Sequence, residues 1–216
     1  PFVTKVLNTD IKKEPYFKEI EKKYITERKI NQDFVNDIES FLNDNQISFS
    51  DEERVLHSHG QNSPDEVFKV LYDKLEKFTD IVVYVENEED VINLIEKAKK
   101  HNVCLVPYGG GTNVTNALQL PENEERMIVS VDTRRLNKII SIDTKNLLIE
   151  VEAGIIGKHL EEELQKKGFT VGHHPDSIEL STLGGWISTN AAGMKKNRYG
   201  NIEDIVQNVV MVTPNG

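Results

Sequence analysis

The stretch Pro107–Val114, PYGGGTNV, places three consecutive glycines directly behind a short apolar run, Val103–Val106. Glycine adopts positive φ angles at little steric cost, so such a run suits a tight turn. It can also leave successive backbone N–H groups free to form a concave nest that binds an anion such as a phosphate. Thr112 and Asn113 add side-chain donors at the rim. From this stretch by itself, the turn and the anion nest both stay open.

Two familiar phosphate-binding fingerprints do not fit this segment, which we call the glycine loop (Pro107–Asn113). A P-loop requires a lysine at a fixed distance, and none follows Gly111 at that spacing. A Rossmann fingerprint requires a third glycine where this chain has Val114. The residues that follow do not resemble a helix start. A phosphate here would therefore rest on loop amides without a helix N-terminus behind them.

A second segment, residues 173–206, is rich in small residues and has little apolar periodicity; we call it the small-residue segment. It reads HHPDSIELSTLGGWISTNAAGMKKNRYGNIEDIV, which is a poor helix and a poor strand. Loops this long in a compact domain are usually functional or disordered, and Trp186 and Ile187 argue against disorder. Backbone with few large side chains can lie against a flat or extended ligand. Together the two segments predict a large phosphate-bearing cofactor between them.

The elements that must position these segments form two small α+β units in series. In the first, Ile81–Val85 is predicted as a buried strand, and Asn87 caps a helix whose apolar stripe extends to Ala98. Strands at Val103–Val106 and Met127–Val131 complete a β-α-β-β unit. The second unit has a hairpin with strands at 138–142 and 147–151, then a helix in which Ile156, Leu160 and Leu164 share a face and which ends near Gly168.

The N-terminal region is polar, and its spacing predicts helices. Apolar residues at helical spacing predict an amphipathic helix over 31–44, and Asp51 and Ser63 look like helix starts. This region is therefore predicted to be a helical arm packed on the rest. It carries His57 and His59, which lack further metal ligands nearby and are interpreted as surface or capping histidines.

The last residues predict that the domain continues. Asn208–Thr213 has the composition of a strand, and Asn215-Gly216 is a strong hairpin-turn signal. The chain stops where the partner strand is expected, so we expect it to be a fragment of a longer protein.

Composition excludes several classes of protein. The 216 residues are 38% hydrophobic and 29% charged, typical of a globular protein, and the net charge of -10 argues against a nucleic-acid partner. Cys104 is the single cysteine, so no internal disulfide forms; it is interpreted as a small buried hydrophobe, and a reducing or peroxisome-like compartment fits. No apolar run approaches the roughly 18 residues of a membrane span.

The two segments resemble the PCMH-type FAD-binding domain of the vanillyl-alcohol oxidase flavoprotein superfamily. More narrowly, PDSIELSTLGGW and GMKKNRYGNIEDIV resemble the alkyldihydroxyacetonephosphate synthase family, and the resemblance covers roughly residues 30–216. It implies an α+β fold with a helical N-terminal region at 1–77 and an FAD-binding domain at 78–216. That domain would consist of one α+β subdomain at about 78–135 and a second from about 136, incomplete at its C-terminus.

The resemblance also implies which residues contact FAD, in three groups. The glycine loop would surround the pyrophosphate, and the other two groups would line the rest of the cofactor. The implied FAD-binding residues are Pro107, Tyr108, Gly109, Gly110, Gly111, Thr112 and Asn113; Asp176, Ser177, Ile178, Glu179, Leu180, Ser181 and Thr182; and Thr189, Asn190, Ala191 and Ala192.

The implied reaction is an alkyl transfer without net redox chemistry, in ether-lipid and plasmalogen biosynthesis. A long-chain fatty alcohol replaces the fatty acyl group of acyl-dihydroxyacetone phosphate. The catalytic residues are unknown here and are expected beyond Gly216; no metal is expected. His173 and His174 are interpreted as structural, and Lys195 and Lys196 as a solvated pair. The resemblance further implies a homodimer, peripheral membrane contact and a peroxisomal location.

Two other hypotheses stay open. One is a flavin-dependent 2-hydroxyacid dehydrogenase of the D-lactate or glycolate type, which shares only the skeleton of these motifs. The other is a non-catalytic module that has lost its flavin, which the retained glycines and small residues disfavour.

Overall fold

The computed structural model describes residues 25–60, 63–72 and 75–214, together with Val6. Within these ranges, helices and strands form in both predicted units and in part of the N-terminal arm. The helices are α1 (Gln32–Glu39), α2 (Asp51–Leu56), α3 (Pro64–Leu71), α4 (Glu88–His101), α5 (Gly157–Gln165), α6 (Leu183–Ser188), α7 (Lys196–Tyr199) and α8 (Ile202–Ile205), with a 3-10 turn at Asp44–Gln46. The strands are β1 (Ile47–Ser48), β2 (Ile81–Tyr84), β3 (Cys104–Tyr108), β4 (Ile128–Asp132), β5 (Ile139–Asp143) and β6 (Leu148–Val151).

The main sheet has the strand order β1-β2-β4-β3. Strands β2, β4 and β3 are parallel, and β1 is antiparallel to β2. Strand β4 lies between two parallel neighbours, and all five of its residues are buried, as expected for a central strand of a covered sheet. In register, Tyr84 and Tyr108 both lie opposite Asp132. The carboxyl ends of the three parallel strands therefore meet at one edge, where the glycine loop begins.

Helix α4 is favoured both by the residues at its two ends and by the apolar residues on its buried face. The Asn87 side chain accepts a hydrogen bond from the Asp90 backbone N–H, three acidic residues occupy the first turn and three basic residues the last, which suits the helix dipole. Asn102 ends the helix in the left-handed conformation at φ 53. Leu94 and Ala98 face the sheet, and α1 packs on α4 from outside. The resulting core contains Phe34, Val35, Ile38, Leu42, Ile81, Val83, Val85, Leu94, Ala98, Val103, Met127, Val129 and Val131.

The N-terminal arm differs from the prediction in two respects. Helix α1 ends at Glu39 rather than at 44, although Leu42 still reaches the core. Residues 47–48 then join the main sheet as β1, so the arm also provides an edge strand. Two residues are too short to show period-two alternation, and the sequence therefore gave no signal for this strand. The predicted helix starts at Asp51 and Ser63 are confirmed, with Ser63 accepting from the Glu66 backbone N–H.

The second unit follows the prediction closely. Strands β5 and β6 form the hairpin, and the Asp143 carboxylate accepts hydrogen bonds from the backbone N–H groups of Lys145 and Asn146 in the turn. Leu160 and Leu164 of α5 are buried against this hairpin. Gly168, at φ 80, completes the turn after α5.

Two predictions about the last forty residues are wrong. The small-residue segment is not an irregular loop, because α6, α7 and α8 form within it. Among the described residues, 208–213 does not form a strand, and Val210 and Met211 are exposed. A strand needs a hydrogen-bonding neighbour, and no described strand lies beside these residues. The predicted turn at Asn215-Gly216 lies outside the described residues.

Candidate functional site

The glycine loop leaves β3 at the sheet edge where β2 and β4 also end, the edge at which open parallel sheets bind ligands. None of the backbone N–H groups of residues 109–112 donates a hydrogen bond to another described residue, and all four residues are partly exposed. Gly111 adopts φ +68. Successive free N–H groups that include a left-handed residue can form an anion-binding nest. The geometry favours this interpretation over a turn that serves only to reverse the chain.

Close packing of the loop on the small-residue segment gives the glycines a second role. A Cβ on Gly110 would lie 1.9 Å from the Leu180 carbonyl oxygen, and one on Gly109 would lie 2.5 Å from Thr182 Oγ1. A Cβ on Gly111 would meet the Tyr108 hydroxyl at 2.4 Å. Gly110 thus allows two backbones to approach closely, and Gly109 and Gly111 make room for the side chains of Thr182 and Tyr108.

The 176–182 part of the small-residue segment is held in place by hydrogen bonds to the chain around the start of α5. The backbone N–H groups of Gly157 and Lys158 donate to the carbonyls of Ser181 and Ile178, at 3.0 and 2.8 Å. Thr182 caps α6 by accepting from the Gly185 backbone N–H. Of the predicted contact residues here, the structure buries Ser181 and Thr182, leaves Ser177 and Ile178 partly exposed, and exposes Asp176, Glu179 and Leu180.

The third predicted group, Thr189–Ala192, follows directly after α6. Since α6 begins after Thr182 and has six residues, this group starts about 9 Å further along the helix axis. Asn190 adopts φ 51, a conformation that asparagine tolerates better than most residues. Helix α6 therefore connects the second and third groups as one short rigid element, and the first two groups are in direct contact.

Trp186 of α6 and His173 are both buried, and their rings pack against each other at an interplanar angle of 55°. The rings of His173 and Trp186 are 4.7 Å apart, and Trp186 Nε1 donates to Ser181 Oγ at 2.7 Å. Neither ring nitrogen of His173 has a hydrogen-bond partner among the described residues, and burial lowers the pKa of His173. A buried polar group without a partner is costly, so these nitrogens are available to a ligand or to residues outside the described ranges.

A buried polar network lies directly beneath the glycine loop. His57 Nε2 is 2.9 Å from Asp132 Oδ2, and the Arg134 guanidinium makes a bidentate contact with the same carboxylate. The side chains of His57 and Asp132 are fully buried. The interpretation of His57 and His59 as surface histidines is therefore wrong, since both are buried, whereas the capping alternative is confirmed for His57, the C-cap residue of α2. Burial by itself would raise the pKa of Asp132, but the hydrogen bonds from His57 and Arg134 outweigh it and lower the pKa.

This network was missed at the level of sequence for a physical reason. Asp132 ends a predicted strand at a ligand-binding edge, which is a weak signal that could have drawn attention to it. His57 is 75 residues away from Asp132 along the chain, and nothing in its local sequence indicates which strand end α2 covers.

The other features considered from the sequence are a metal site, a membrane span, the cysteine and the lysine pair. Among the described residues, no group of three or more potential ligands could hold a metal ion, and no helix is both long and apolar enough to cross a membrane. Cys104 is half-buried, and burial raises the pKa of its thiol. Lys195 and Lys196 are exposed, as predicted.

The residues present fit a cofactor that carries phosphate and a flat or extended body. Free amides at the glycine loop suit the phosphate, and the loop has no bulky side chain between Tyr108 and Thr112. The ring nitrogens of His173, which have no partner among the described residues, are further polar atoms within the small-residue segment.

Comparison with known proteins supplies independent information. The profile of a family described as FAD binding domain matches residues 79–216. The alkyldihydroxyacetonephosphate synthase of Caenorhabditis elegans is 50% identical over 182 residues, 83% of this chain and 30% of that protein. A solved structure described as alkyldihydroxyacetonephosphate synthase aligns with a TM-score of 0.82 and 35% identity, over 87% of this chain and 34% of that chain.

A more distant relative represents another class. The mitochondrial D-lactate dehydrogenase (cytochrome) of Arabidopsis thaliana is 26% identical over 189 residues, which cover 88% of this chain and 31% of that protein. The chain spans about a third of the length of each of these relatives.

Proposed function

The chain belongs to the FAD binding domain family, with FAD as its cofactor, and from this premise we propose that the whole protein is an alkyldihydroxyacetonephosphate synthase. In this reaction a long-chain fatty alcohol replaces the acyl group of acyl-dihydroxyacetone phosphate, and a fatty acid is released. The proposal is supported by 50% identity to the nematode relative of that name and by the 0.82 TM-score to the solved structure.

The observation that carries the cofactor assignment is the run of backbone N–H groups at residues 109–112 that donate to no other described residue. We assign these amides to the FAD pyrophosphate, because charge-assisted hydrogen bonds from backbone N–H groups are the strong kind. The 176–182 part of the small-residue segment then lies beside the pyrophosphate, and α6 leads to Thr189–Ala192 further along the cofactor. When bound, the flavin supplies the electrophilic chemistry that a protein side chain lacks.

In this proposal the described residues bind and orient the cofactor, and we place the catalytic acid and base groups beyond Gly216. Around the glycine loop, Asp132 is engaged with His57 and Arg134, and Glu53 accepts from the Tyr84 hydroxyl at 2.5 Å. Burial and the contact with Glu53 raise the pKa of Tyr84, and burial raises that of Tyr108. Both phenols therefore stay neutral near pH 7, so they are better suited to donate hydrogen bonds than to act as catalytic bases.

Several finer assignments belong to the same proposal. We divide the chain into an N-terminal region at 1–77 and the FAD-binding domain at 78–216, with subdomains at about 78–135 and from about 136. The substrates are acyl-dihydroxyacetone phosphate and a long-chain fatty alcohol. We also propose a homodimer with peripheral membrane contact in peroxisomes, on the ground of family resemblance.

The alternative worth testing is a flavin-dependent 2-hydroxyacid dehydrogenase, which the 26% identity to D-lactate dehydrogenase supports. The two reactions differ in whether the flavin is reduced over a turnover cycle. A transferase leaves the flavin oxidised at the end of each cycle, whereas a dehydrogenase stops at reduced flavin when no electron acceptor is present.

The experiment uses the complete natural protein that contains these residues. Its absorption spectrum should show bound oxidised flavin, and radiolabelled hexadecanol should enter the lipid product when acyl-dihydroxyacetone phosphate is supplied. D-lactate or glycolate under anaerobic conditions should leave the spectrum unchanged. Bleaching by either hydroxyacid without alcohol exchange would establish the dehydrogenase instead. A colourless protein that takes up no FAD would indicate a module that has lost its flavin.

A further inference from the structure

Side chains from distant parts of the chain enclose the Tyr108 phenol ring. The His57 ring lies 4.3 Å from it, centroid to centroid, and the Arg134 guanidinium carbon lies 5.4 Å from its centroid. Both neighbours contact one atom, Asp132 Oδ2, at 2.9 and 2.5 Å. The other His57 nitrogen, Nδ1, is 2.8 Å from the Glu53 carbonyl oxygen within α2. The phenol is thus enclosed by a closed set of polar contacts, which we call the Asp132 network (His57, Asp132 and Arg134).

The ring that this network encloses lies against the glycine loop. Tyr108 directly precedes the glycines, and its hydroxyl lies so close to Gly111 that an added Cβ would be only 2.4 Å away. The hydroxyl has no hydrogen-bond partner among the described residues. Tyr108 also accepts, through its carbonyl, the backbone N–H and the hydroxyl of Thr133. The ring therefore lies beside Gly111, the one loop glycine at positive φ, and we expect a shift of the ring to alter the loop there.

His57 is the member of the network that comes from outside the matched family region. It lies on the C-terminal side of α2, whereas the FAD binding domain profile begins at residue 79. Removing it takes away one of the two described side chains that contact a fully buried carboxylate, and it opens space beside the phenol ring. A buried carboxylate with fewer partners is costly, so the contacts around it are expected to rearrange.

We propose that His57 is a positioning residue for cofactor binding: through Asp132 and Tyr108 it holds the glycine loop amides in the arrangement that receives the FAD pyrophosphate. This inference rests on the proposed FAD site at the glycine loop. It makes the N-terminal arm part of the cofactor site, because His57 of the arm contacts the Tyr108 ring and Asp132.

The test uses the complete protein, stripped of cofactor, with two substitutions at position 57. His57→Ala removes both the hydrogen bond and the ring, and His57→Phe keeps a ring against Tyr108 but removes the hydrogen bond. The control is Asp80→Ala. Asp80 is also a buried carboxylate that links the arm to the sheet, accepting from the backbone N–H groups of Lys29 and Ile128, but it precedes β2 at the opposite edge.

Two measurements are made on each protein. Hydrogen exchange of the apoprotein reports the amides of residues 108–113 without any cofactor, and titration with FAD, followed by flavin fluorescence, gives the dissociation constant. For His57→Ala we expect loop amides to exchange about tenfold faster and the FAD dissociation constant to rise about tenfold, or about 1.4 kcal/mol. His57→Phe should show a smaller change in the same direction. Asp80→Ala should lower the melting temperature and leave both loop measurements within twofold of wild type.

The outcomes separate this inference from the proposed function. If the wild-type protein binds no FAD, the proposed function fails and the inference fails with it. If wild type binds FAD but His57→Ala binds equally well with unchanged loop exchange, only the inference is wrong. Equal effects of Asp80→Ala at the same loss of stability would also overturn it, since the loop would then report general destabilisation. If His57→Ala does not fold, the test uses His57→Phe and Arg134→Lys. Arg134 is partly exposed, so we expect its replacement to be tolerated, and lysine cannot make the bidentate contact with Asp132.

Discussion

Replacing Gly110 by alanine should separate the glycine loop from the small-residue segment. The added Cβ would lie 1.9 Å from the Leu180 carbonyl oxygen, 2.6 Å from its carbonyl carbon and 2.9 Å from Ser181 Cα. All three atoms belong to backbone, so no side-chain rotation relieves the contact. Ordinary contact begins at 3.4 Å, and the two backbones must therefore move apart by about 1.5 Å.

This displacement has a calculable effect on FAD binding. A hydrogen bond of about 2.9 Å that lengthens by more than 1 Å is effectively lost, and a bond to a charged group contributes about 1.5–3 kcal/mol. Loss of one or two pyrophosphate contacts thus predicts that the FAD dissociation constant rises at least about tenfold, equivalent to about 1.4 kcal/mol. Overpacking should also lower the free energy of unfolding of the apoprotein by about 1–3 kcal/mol.

The assay is titration of the apoprotein with FAD, with thermal unfolding measured in parallel on the complete protein. Gly168→Ala is the control for destabilisation without contact with the loop, because Gly168 has a positive φ, unlike Gly110, and nothing lies within 4 Å of its added Cβ. It should lose about 1–2 kcal/mol of stability through backbone strain while its FAD affinity stays unchanged. A dissociation constant for Gly110→Ala within threefold of wild type would refute the argument that the loop amides hold the pyrophosphate.

Two further predictions concern how the N-terminal arm is held to the sheet. Gln46→Ala should lower the free energy of unfolding by about 2 kcal/mol in urea titrations, because the buried amide donates to both the Tyr84 carbonyl and Asp90 Oδ2; an unchanged midpoint would contradict the assigned contacts. Hydrogen bonds from His101 and Lys100 lower the pKa of Asp37 from 3.8 to about 2. Because this folded-state pKa is lowered, the stabilisation is complete above pH 3.8 and is lost as the pH falls towards 2. The destabilisation caused by Asp37→Asn in urea titrations should therefore shrink across that window, and a constant difference would show that the carboxylate is not the cause.

Most of the regular elements could be predicted from local sequence. Strand β2, helix α4 and the β5–β6 hairpin each combine an apolar pattern with a cap or turn signal, so local and tertiary preferences agree there. The failures occur where local signals are weak. Helix α6 contains two adjacent glycines, Gly184 and Gly185, which disfavour helix by propensity. Thr182 caps this helix, and close packing against Ala153 favours glycine at position 184, where an added Cβ would lie 2.9 Å from the Ala153 Cβ.

The sequence by itself determined the two α+β units, the two segments that carry the proposed site and the resemblance to an FAD-binding domain. It could do so because glycine content, apolar period and capping residues act over a few neighbouring positions. Only the tertiary structure decided that Gly110 touches Leu180, 70 residues away along the chain, and that His57 reaches Asp132 beneath the loop. Such contacts depend on how the sheet edge, α2 and the small-residue segment pack together, and no local pattern encodes that. The glycine loop is therefore both a candidate phosphate nest and a close contact between two backbones, and the second property was visible only in three dimensions.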